Sequence, residues 1–357
     1  MFITLMLLSA LLILLSVLPF VKNQHWFFRV GEFIKLQLLV LQVAFVIVIF
    51  FYIGQYPELW YVQAPQLILI FYHVYILARY TKFWRNSTPR PEKDSISEPV
   101  KIISCNIYQF NTDYDRFIDL IQIEDPDIFL TMESNAAWEQ AMQVLEGDYP
   151  YSEKVTLENT YGMHFYTRLK VIRSETHFFV ADDVPSVEVE LETSDGQRFV
   201  FFGVHPPPPS PTEEETSKER DGDLLSVAKL VRDYETPVVV VGDFNNVAWA
   251  KSSILFKKTS RLIDARVGRG ILSTFHAKYW FFRVPLDLLF HSPEVFIDKL
   301  FIYPSIGSDH FPIGSTFHID LKNDEQKSEV EDLEDNEHSE VEELIQEGKE
   351  EESDERE

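Results

Sequence analysis

Three long apolar stretches open the chain, and a different periodicity follows them. Phe2 to Phe20 is free of charge and about as long as a bilayer core requires. Leu36–Gly54 and Leu59–Ala78 repeat the pattern, the last less uniformly because Gln63, Gln66 and His73 interrupt it. These segments predict a membrane domain over residues 1–85 with three spanning helices at 2–20, 36–54 and 59–78. Packing of the three polar groups against the other two helices is the plainer account of them; a pore is the functional one. A secretory signal is the competing account of the first stretch, but a basic leader is absent and Val17-Leu18-Pro19-Phe20 is a poor cleavage site. Residues 86–97 read as a polar, proline-containing linker.

From residue 98 short strand-like runs alternate with helical patterns. Val100–Cys105, Ile128–Met132, Met163–Thr167, Val187–Leu191, Phe199–Val204, Val238–Val241, Leu286–Phe290 and Ile313–Phe317 predict strands. Asp113–Ile123 and Thr212–Tyr234 predict helices, the second with Thr212 and Glu215 spaced as a capping box. Strands and helices interleaved in this way argue for an α/β sandwich over residues 98–320. Four consecutive prolines, Pro206–Pro209, cannot donate to a ladder, so the preceding strand must end at His205. Residues 321–357 are dominated by Asp and Glu and predict an acidic disordered tail, whose natural partner would be a basic protein.

Charge sharpens this division. The net formal charge of −25 splits into +4 for residues 1–97, −15 for 98–320 and −14 for the tail. An acidic central domain is poorly suited to holding nucleic acid by counterion release. Lys22, Arg29 and Lys35 lie between the first two apolar stretches, and Arg79, Lys82, Arg85, Arg90 and Lys93 follow the third, whereas Gln55–Glu58 has no basic residue. The positive-inside rule therefore puts the central domain in the cytoplasm. The lone cysteine, Cys105, excludes an intrachain disulfide and reads as a small buried hydrophobe.

Candidate chemistry clusters at strand ends. In Val238-Val239-Val240-Val241-Gly242-Asp243-Phe244-Asn245-Asn246 an apolar run breaks at glycine and delivers a carboxylate and a carboxamide two positions apart, on one side of the strand end. Gly307-Ser308-Asp309-His310 sets a carboxylate, able to hold a divalent cation, beside an imidazole, able to move a proton. Each is also compatible with a plain turn.

Together with Ile102-Ile103-Ser104-Cys105-Asn106, Asp125 to Glu133, Gly203-Val204-His205-Pro206 and Pro285 to Phe290, these motifs resemble the endonuclease/exonuclease/phosphatase superfamily, in order and over about residues 98–320. The resemblance implies a four-layer, deoxyribonuclease I-like α/β sandwich. It also implies a metal-dependent phosphoric ester hydrolase using Mg²⁺, with Mn²⁺ as a substitute. By the same resemblance Glu133 would bind the metal with Asn106 and Asp309. Asp243 would position or deprotonate the attacking water, and Asn245 would donate to a phosphoryl oxygen. His310, oriented by Asp287, would act on the phosphate, and His205 would face the leaving group. Met132 stands where the family usually has Gln, which puts one supporting contact to the site in doubt. Trp249 reads as a pocket wall or a packing residue and Arg168 as a phosphate contact or an ion pair. His164, His177, His276, His291 and His318 read as structural or surface residues. The expected activity is that of a membrane-anchored phosphodiesterase of nuclease type. The alternatives are hydrolysis of a phospholipid or small phosphoester and, in another class, a non-catalytic membrane scaffold.

Overall fold

A computed structural model describes residues 1–84 and 98–351. The expected linker over 86–97 lies outside the described residues. Helices α1 (Phe2–Val17), α3 (Lys35–Tyr52) and α4 (Trp60–Ala78) coincide with the three apolar stretches and are long and apolar enough to cross a membrane. Gln42, Gln63, Gln66 and His73 are buried in this bundle, as packing rather than lipid exposure requires. A short helix, α2 (Trp26–Phe33), fills the connection between α1 and α3.

The rest of the chain is two stacked six-stranded sheets. Strands β1 (Val100–Asn106), β2 (Ile128–Met132), β3 (Tyr151–Val155), β4 (Met163–Thr167), β11 (Val295–Ile302) and β12 (Ile313–Ile319) form one, in the order β11-β12-β1-β2-β4-β3. The other contains β5 (Lys170–His177), β6 (Ser186–Glu192), β7 (Arg198–Val204), β8 (Val238–Asp243), β9 (Ile263–Asp264) and β10 (Asp287–His291), ordered β5-β6-β7-β8-β10-β9. The polar strands β3 and β5 are sheet edges, and β11 is an edge with a register shift between Ile297 and Lys299.

Coverage of the sheets explains the apolar runs. Val239 and Val241 face Leu130, Phe165 and Phe317 between the sheets, while Val238 and Val240 face Leu224, Val227 and Val231 of α7 (Lys218–Arg232) on the outside. A strand buried on both faces cannot alternate. On the other outer face Phe117 and Ile121 of α5 (Tyr114–Glu124) and Trp138 and Met142 of α6 (Ala136–Met142) cover Ile103, Cys105 and Phe129. The result is the expected four-layer sandwich: helix, sheet, sheet, helix.

Two expectations are corrected. The helix expected from Thr212 starts only at Lys218, without a side-chain cap from Ser217. The backbone of the preceding segment is engaged elsewhere: Trp26 N–H donates to Glu215 O and Ser217 N–H to Gln24 O, tying it to the α1–α3 connection. The acidic tail, expected to be disordered, carries a helix, α9 (Asp335–Glu350). A reciprocal Glu334/Glu337 capping box starts it, and Val341 and Ile345 pack on Leu225 and on Leu255 of α8 (Lys251–Ser260). Gly348 lies against Gly222 of α7 so closely that a Cβ on it would fall 2.9 Å from the Gly222 Cα. Basic side chains of the same chain pair with the tail: Lys229 with Glu342, Lys251 with Glu340 and Lys258 with Glu337.

The apolar helices are not a separate body on a tether. Leu77 and Tyr80 at the end of α4, with Phe33, Leu36 and Leu39, belong to the same apolar cluster as Trp249, Leu286 and Phe290. Trp249 donates its indole N–H to Glu32 O of α2 at 2.8 Å and therefore packs against the apolar helices rather than walling the site.

Candidate functional site

The two sheets bring their strand ends to one point. Asn106 ends β1 and Asp243 ends β8, and the Asn106 Nδ2 donates to Asp243 Oδ2 at 3.2 Å across the sandwich. Asp287 begins β10 directly opposite Asp243 in the antiparallel pairing. Gly242 makes the β8 end possible: its φ is +156°, and a Cβ there would lie 1.9 Å from Val204 O. Gly307, at φ +95°, gives the same freedom to the loop that carries Asp309 and His310.

Around that point seven of the eight expected residues are joined by short contacts. Asn106 Nδ2 also donates to Glu133 Oε1 at 2.8 Å, and the Gln109 backbone N–H donates to Glu133 Oε2 at 3.0 Å. His310 Nδ1 meets Asp287 Oδ2 at 2.8 Å, and its Nε2 lies 3.4 Å from Asp243 Oδ2. His205 Nε2 is 3.9 Å from the same oxygen. Asn245 donates its backbone N–H to Asp243 Oδ1 at 2.9 Å. Its side-chain Nδ2 donates to Pro206 O at 2.9 Å, which leaves one of the two amide hydrogens for another acceptor. The eighth residue, Asp309, is placed by its backbone: its carbonyl accepts from Ala277 N–H at 2.6 Å. Tyr108, Glu133 and Asn245 hold φ of 58°, 62° and 47°, conformations that cost side chains on the order of 1 kcal/mol each and gather where a site overrides local preference.

Electrostatics separates the two imidazoles. Burial opposes charging of His310, but Asp243 and Asp287 outweigh it and push its pKa up to about 10. His205 is buried beside the same Asp243, whose pull is weaker at 3.9 Å, and burial brings its pKa down to about 4. At neutral pH His310 is therefore a cation and His205 a neutral ring. Burial raises Asp243, against the attraction of His310. Burial likewise raises Glu133 to about 7, in spite of the hydrogen bonds from Gln109 and Asn106.

The donor set fits a divalent cation. Glu133, Asn106 and Asp309 offer hard oxygen donors, which is what Mg²⁺ takes. A largely buried carboxylate whose charged form is disfavoured by its surroundings is the condition a bound cation relieves. Asp243, Asp287 and His310 also stand close enough to share an ion. The short His310–Asp287 contact already satisfies that imidazole nitrogen.

Several supporting residues were not legible in the sequence. Ser308 Oγ donates to Asn106 O at 2.8 Å and accepts from His310 N–H at 3.0 Å, locking the two loops together. Thr274 Oγ1 accepts the Asp287 N–H at 3.2 Å, and the buried Arg220 donates to Asn245 O at 3.1 Å. Met132, which replaces the family's usual Gln, supplies a contact through sulfur: its Sδ accepts the Asp243 N–H at 3.1 Å. Thr274 and Arg220 lie far in sequence from the groups they hold, and nothing in local pattern marks them. Arg168 pairs with Asp125 and stacks on Tyr149. His177 pairs with Glu188 and His318 with Asp298, so these three residues are structural. His276 departs from expectation: with Tyr108, Lys278, Tyr279, Ser308 and Asp309 it lines a cavity of about 510 Å³ beside the site.

Comparison with known proteins bears on the family and the fold. The profile of the Endonuclease/Exonuclease/phosphatase family matches residues 103–310, more than half of the chain. D. rerio TDP2 complexed with single strand DNA product is 18% identical, with a TM-score of 0.52 over 62% of this chain and 99% of that one. An endonuclease/exonuclease/phosphatase from Bacteroides vulgatus is 19% identical, with a TM-score of 0.51 over 63% and 100%. TDP2 from Caenorhabditis elegans is 15% identical, with a TM-score of 0.51 over 64% and 76%. At these identities the likeness is one of fold. No curated protein sequence matches the chain. Family match and fold together make the chain a member of the endonuclease/exonuclease/phosphatase family and, as such, a metal-dependent phosphoric ester hydrolase.

Proposed function

We propose that the protein is a membrane-anchored, Mg²⁺-dependent phosphodiesterase whose reaction is carried by the Asp243–His310–Asp287 unit. The contact of His310 with both carboxylates carries this reading, because it fixes one imidazole in a charged state at the point where both sheets end. Glu133, Asn106 and Asp309 would hold the metal, which when bound supplies charge neutralisation at the phosphoryl oxygens and a more acidic water. Asp243 accepts a proton from the attacking water while its Oδ1 stays fixed by the Asn245 N–H. The free Asn245 amide hydrogen donates to a phosphoryl oxygen. His310, charged and held at Nδ1 by Asp287, presents Nε2 to the developing negative charge. His205 is neutral, so it donates a hydrogen bond toward the leaving oxygen rather than a proton. A scaffold would have no need of so complete a set.

Anchoring rests on the three apolar helices. The α1–α3 connection and the end of α4 both touch the catalytic domain, at Glu215 and Ser217 and, through Arg79 O, at Gly268 N–H. Both therefore lie on one side, as three spans and the positive-inside rule demand, which supports a cytoplasmic catalytic domain.

The test is hydrolysis of bis-para-nitrophenyl phosphate by the full chain in detergent micelles, stripped with chelator and titrated with Mg²⁺ or Mn²⁺. Activity should appear only with metal and should need a higher metal concentration in Glu133→Gln. Chelator-resistant turnover would reject the reading. A nucleic acid substrate is the second reading, favoured by the likeness to D. rerio TDP2 in complex with a DNA product. The net charge of −15 over residues 98–320 weighs against it.

A further inference from the structure

The loop His276-Ala277-Lys278-Tyr279-Trp280-Phe281-Phe282-Arg283 has no acidic residue, although the domain around it is strongly acidic. Its aromatic side chains point into open space: Trp280 is 77% exposed, Phe281 54% and Phe282 56%. Burying so much aromatic surface elsewhere would have been favourable, so four adjacent exposed aromatics flanked by two cations demand an environment other than water. The backbone identifies that environment. Gln37 Nε2 donates to Phe281 O at 3.3 Å and to Arg283 O at 3.1 Å. Gln37 is the third residue of α3, two helical rises or about 3 Å along the axis from its start, so the loop touches the first turn of an apolar helix of bilayer length. Lys82, Phe83 and Trp84, just beyond the end of α4, add further cationic and exposed aromatic groups near the same end of the bundle. Trp, Tyr and Phe with Lys and Arg at helix ends are the composition of a membrane–water interface.

The same loop is a wall of the site. His276, Ala277, Lys278 and Tyr279 line the cavity of about 510 Å³ whose opposite wall carries Ser308 and Asp309. The Ala277 N–H to Asp309 O bond joins the walls, and the Phe275 ring lies 4.9 Å from the His310 ring. The cavity is thus lined on one side by Asp309 of the site and on the other by the loop that Gln37 ties to the first turn of α3.

We propose that the 276–283 loop seats its Trp280, Phe281 and Phe282 side chains in the headgroup region of the bilayer that anchors the chain, and that the adjoining cavity takes the phosphorylated headgroup of a membrane lipid as substrate. This rests on the phosphoesterase reading of the same site. Hydrolysis adds one water across a P–O ester bond: phosphorus keeps the water oxygen, and the leaving oxygen takes a proton. One product stays in the bilayer and the phosphorylated product leaves. Lys278 would meet the headgroup phosphate electrostatically, and the short distance to the membrane replaces the basic surface a nucleic acid enzyme would need.

The experiment uses full-length protein reconstituted with Mg²⁺ in phosphatidylcholine vesicles carrying sphingomyelin and a phosphoinositide. Release of water-soluble phosphorus is read in parallel with hydrolysis of bis-para-nitrophenyl phosphate and nicking of plasmid DNA. The triple variant Trp280→Ser, Phe281→Ser, Phe282→Ser alters side chains that do not line the cavity. It should lose lipid hydrolysis by about tenfold or more while its rate on the soluble diester stays at the wild-type value. Independently, fluorescence of Trp280, taken as the difference between wild type and Trp280→Phe, should be quenched by brominated lipid chains and not by aqueous iodide. Plasmid nicking without lipid hydrolysis, equal lipid rates in wild type and the triple variant, or quenching of Trp280 by iodide would each overturn the proposal. Absence of activity on the soluble diester would instead remove the phosphoesterase reading beneath it.

Discussion

Two imidazoles within reach of one carboxylate oxygen titrate in opposite directions, and that asymmetry is what the residues make testable. His310 has a second carboxylate in Asp287 and is raised to about 10; His205 has none at its Nδ1 among the described residues and falls to about 4. If the imidazolium of His310 is the active form, rate should hold through neutral pH and fall on an alkaline limb near 10. Asp287→Asn removes one of the charges that hold the proton, so the limb should move to lower pH as the rate falls by about 10²-fold or more. A pH–rate profile with an unmoved limb would show that Asp287 does not position His310. Glu133 gives a second pH signature with a definite sign. Its pKa is raised by burial, so without metal its contribution to stability is complete below about pH 4.5 and is lost as pH rises through about 7. Metal binds the deprotonated form, so the rise in melting temperature on adding Mg²⁺ should be larger at about pH 8 than at about pH 6. Equal shifts at the two pH values would place the metal away from Glu133.

Elements buried on both faces were legible in the sequence, and edge elements were not. Val238–Val241 reads as a strand because every side chain in it is covered, whereas β3 and β5 mix the charged residues Glu153, Lys154, Arg173 and Glu175 among few apolar ones and leave no apolar alternation to detect. The site followed the same rule. Residues at the ends of central strands were named from motif and resemblance, but Thr274 and Arg220, which hold them by hydrogen bonds from a distant loop and helix, had no local signal. Helix α9 was hidden by composition, because Val341 and Ile345 are two apolar positions among many charges, and their partners on α7 and α8 cannot be seen from the tail alone. Its docking should depend on those apolar side chains more than on the ion pairs, since exposed pairs are worth about 0–1 kcal/mol and truncating a buried aliphatic side chain to Ala costs about 2–5 kcal/mol. Val341→Ala with Ile345→Ala should therefore lower the melting temperature further than Glu340→Gln with Glu342→Gln; the reverse order would make α9 an electrostatic attachment. Gly242→Ala is the severe case. With Val204 O at 1.9 Å from the new Cβ, it should cost more than about 4 kcal/mol or abolish folding, as read by denaturant unfolding.

At the scale of the whole molecule, apolar helices and catalytic sandwich share one core through Leu77, Tyr80 and Trp249. Deleting residues 1–84 should therefore expose apolar surface and give an aggregating domain, measurable by light scattering, instead of a soluble enzyme. The fold delivers Asp243 from one sheet and Asn106 from the other to within 3.2 Å, with His310 between two carboxylates, and the account stands on that convergence performing phosphoester hydrolysis. The most direct measurement is the turnover of bis-para-nitrophenyl phosphate by full-length Asp243→Asn beside wild type, both saturated with Mg²⁺. The substitution keeps the shape and removes only the charge and the capacity to take a proton. A fall in kcat of about 10³-fold or more, with melting temperature kept, is the result predicted. Turnover within a fewfold of wild type would contradict the account and move the chemistry away from the point where the two sheets meet.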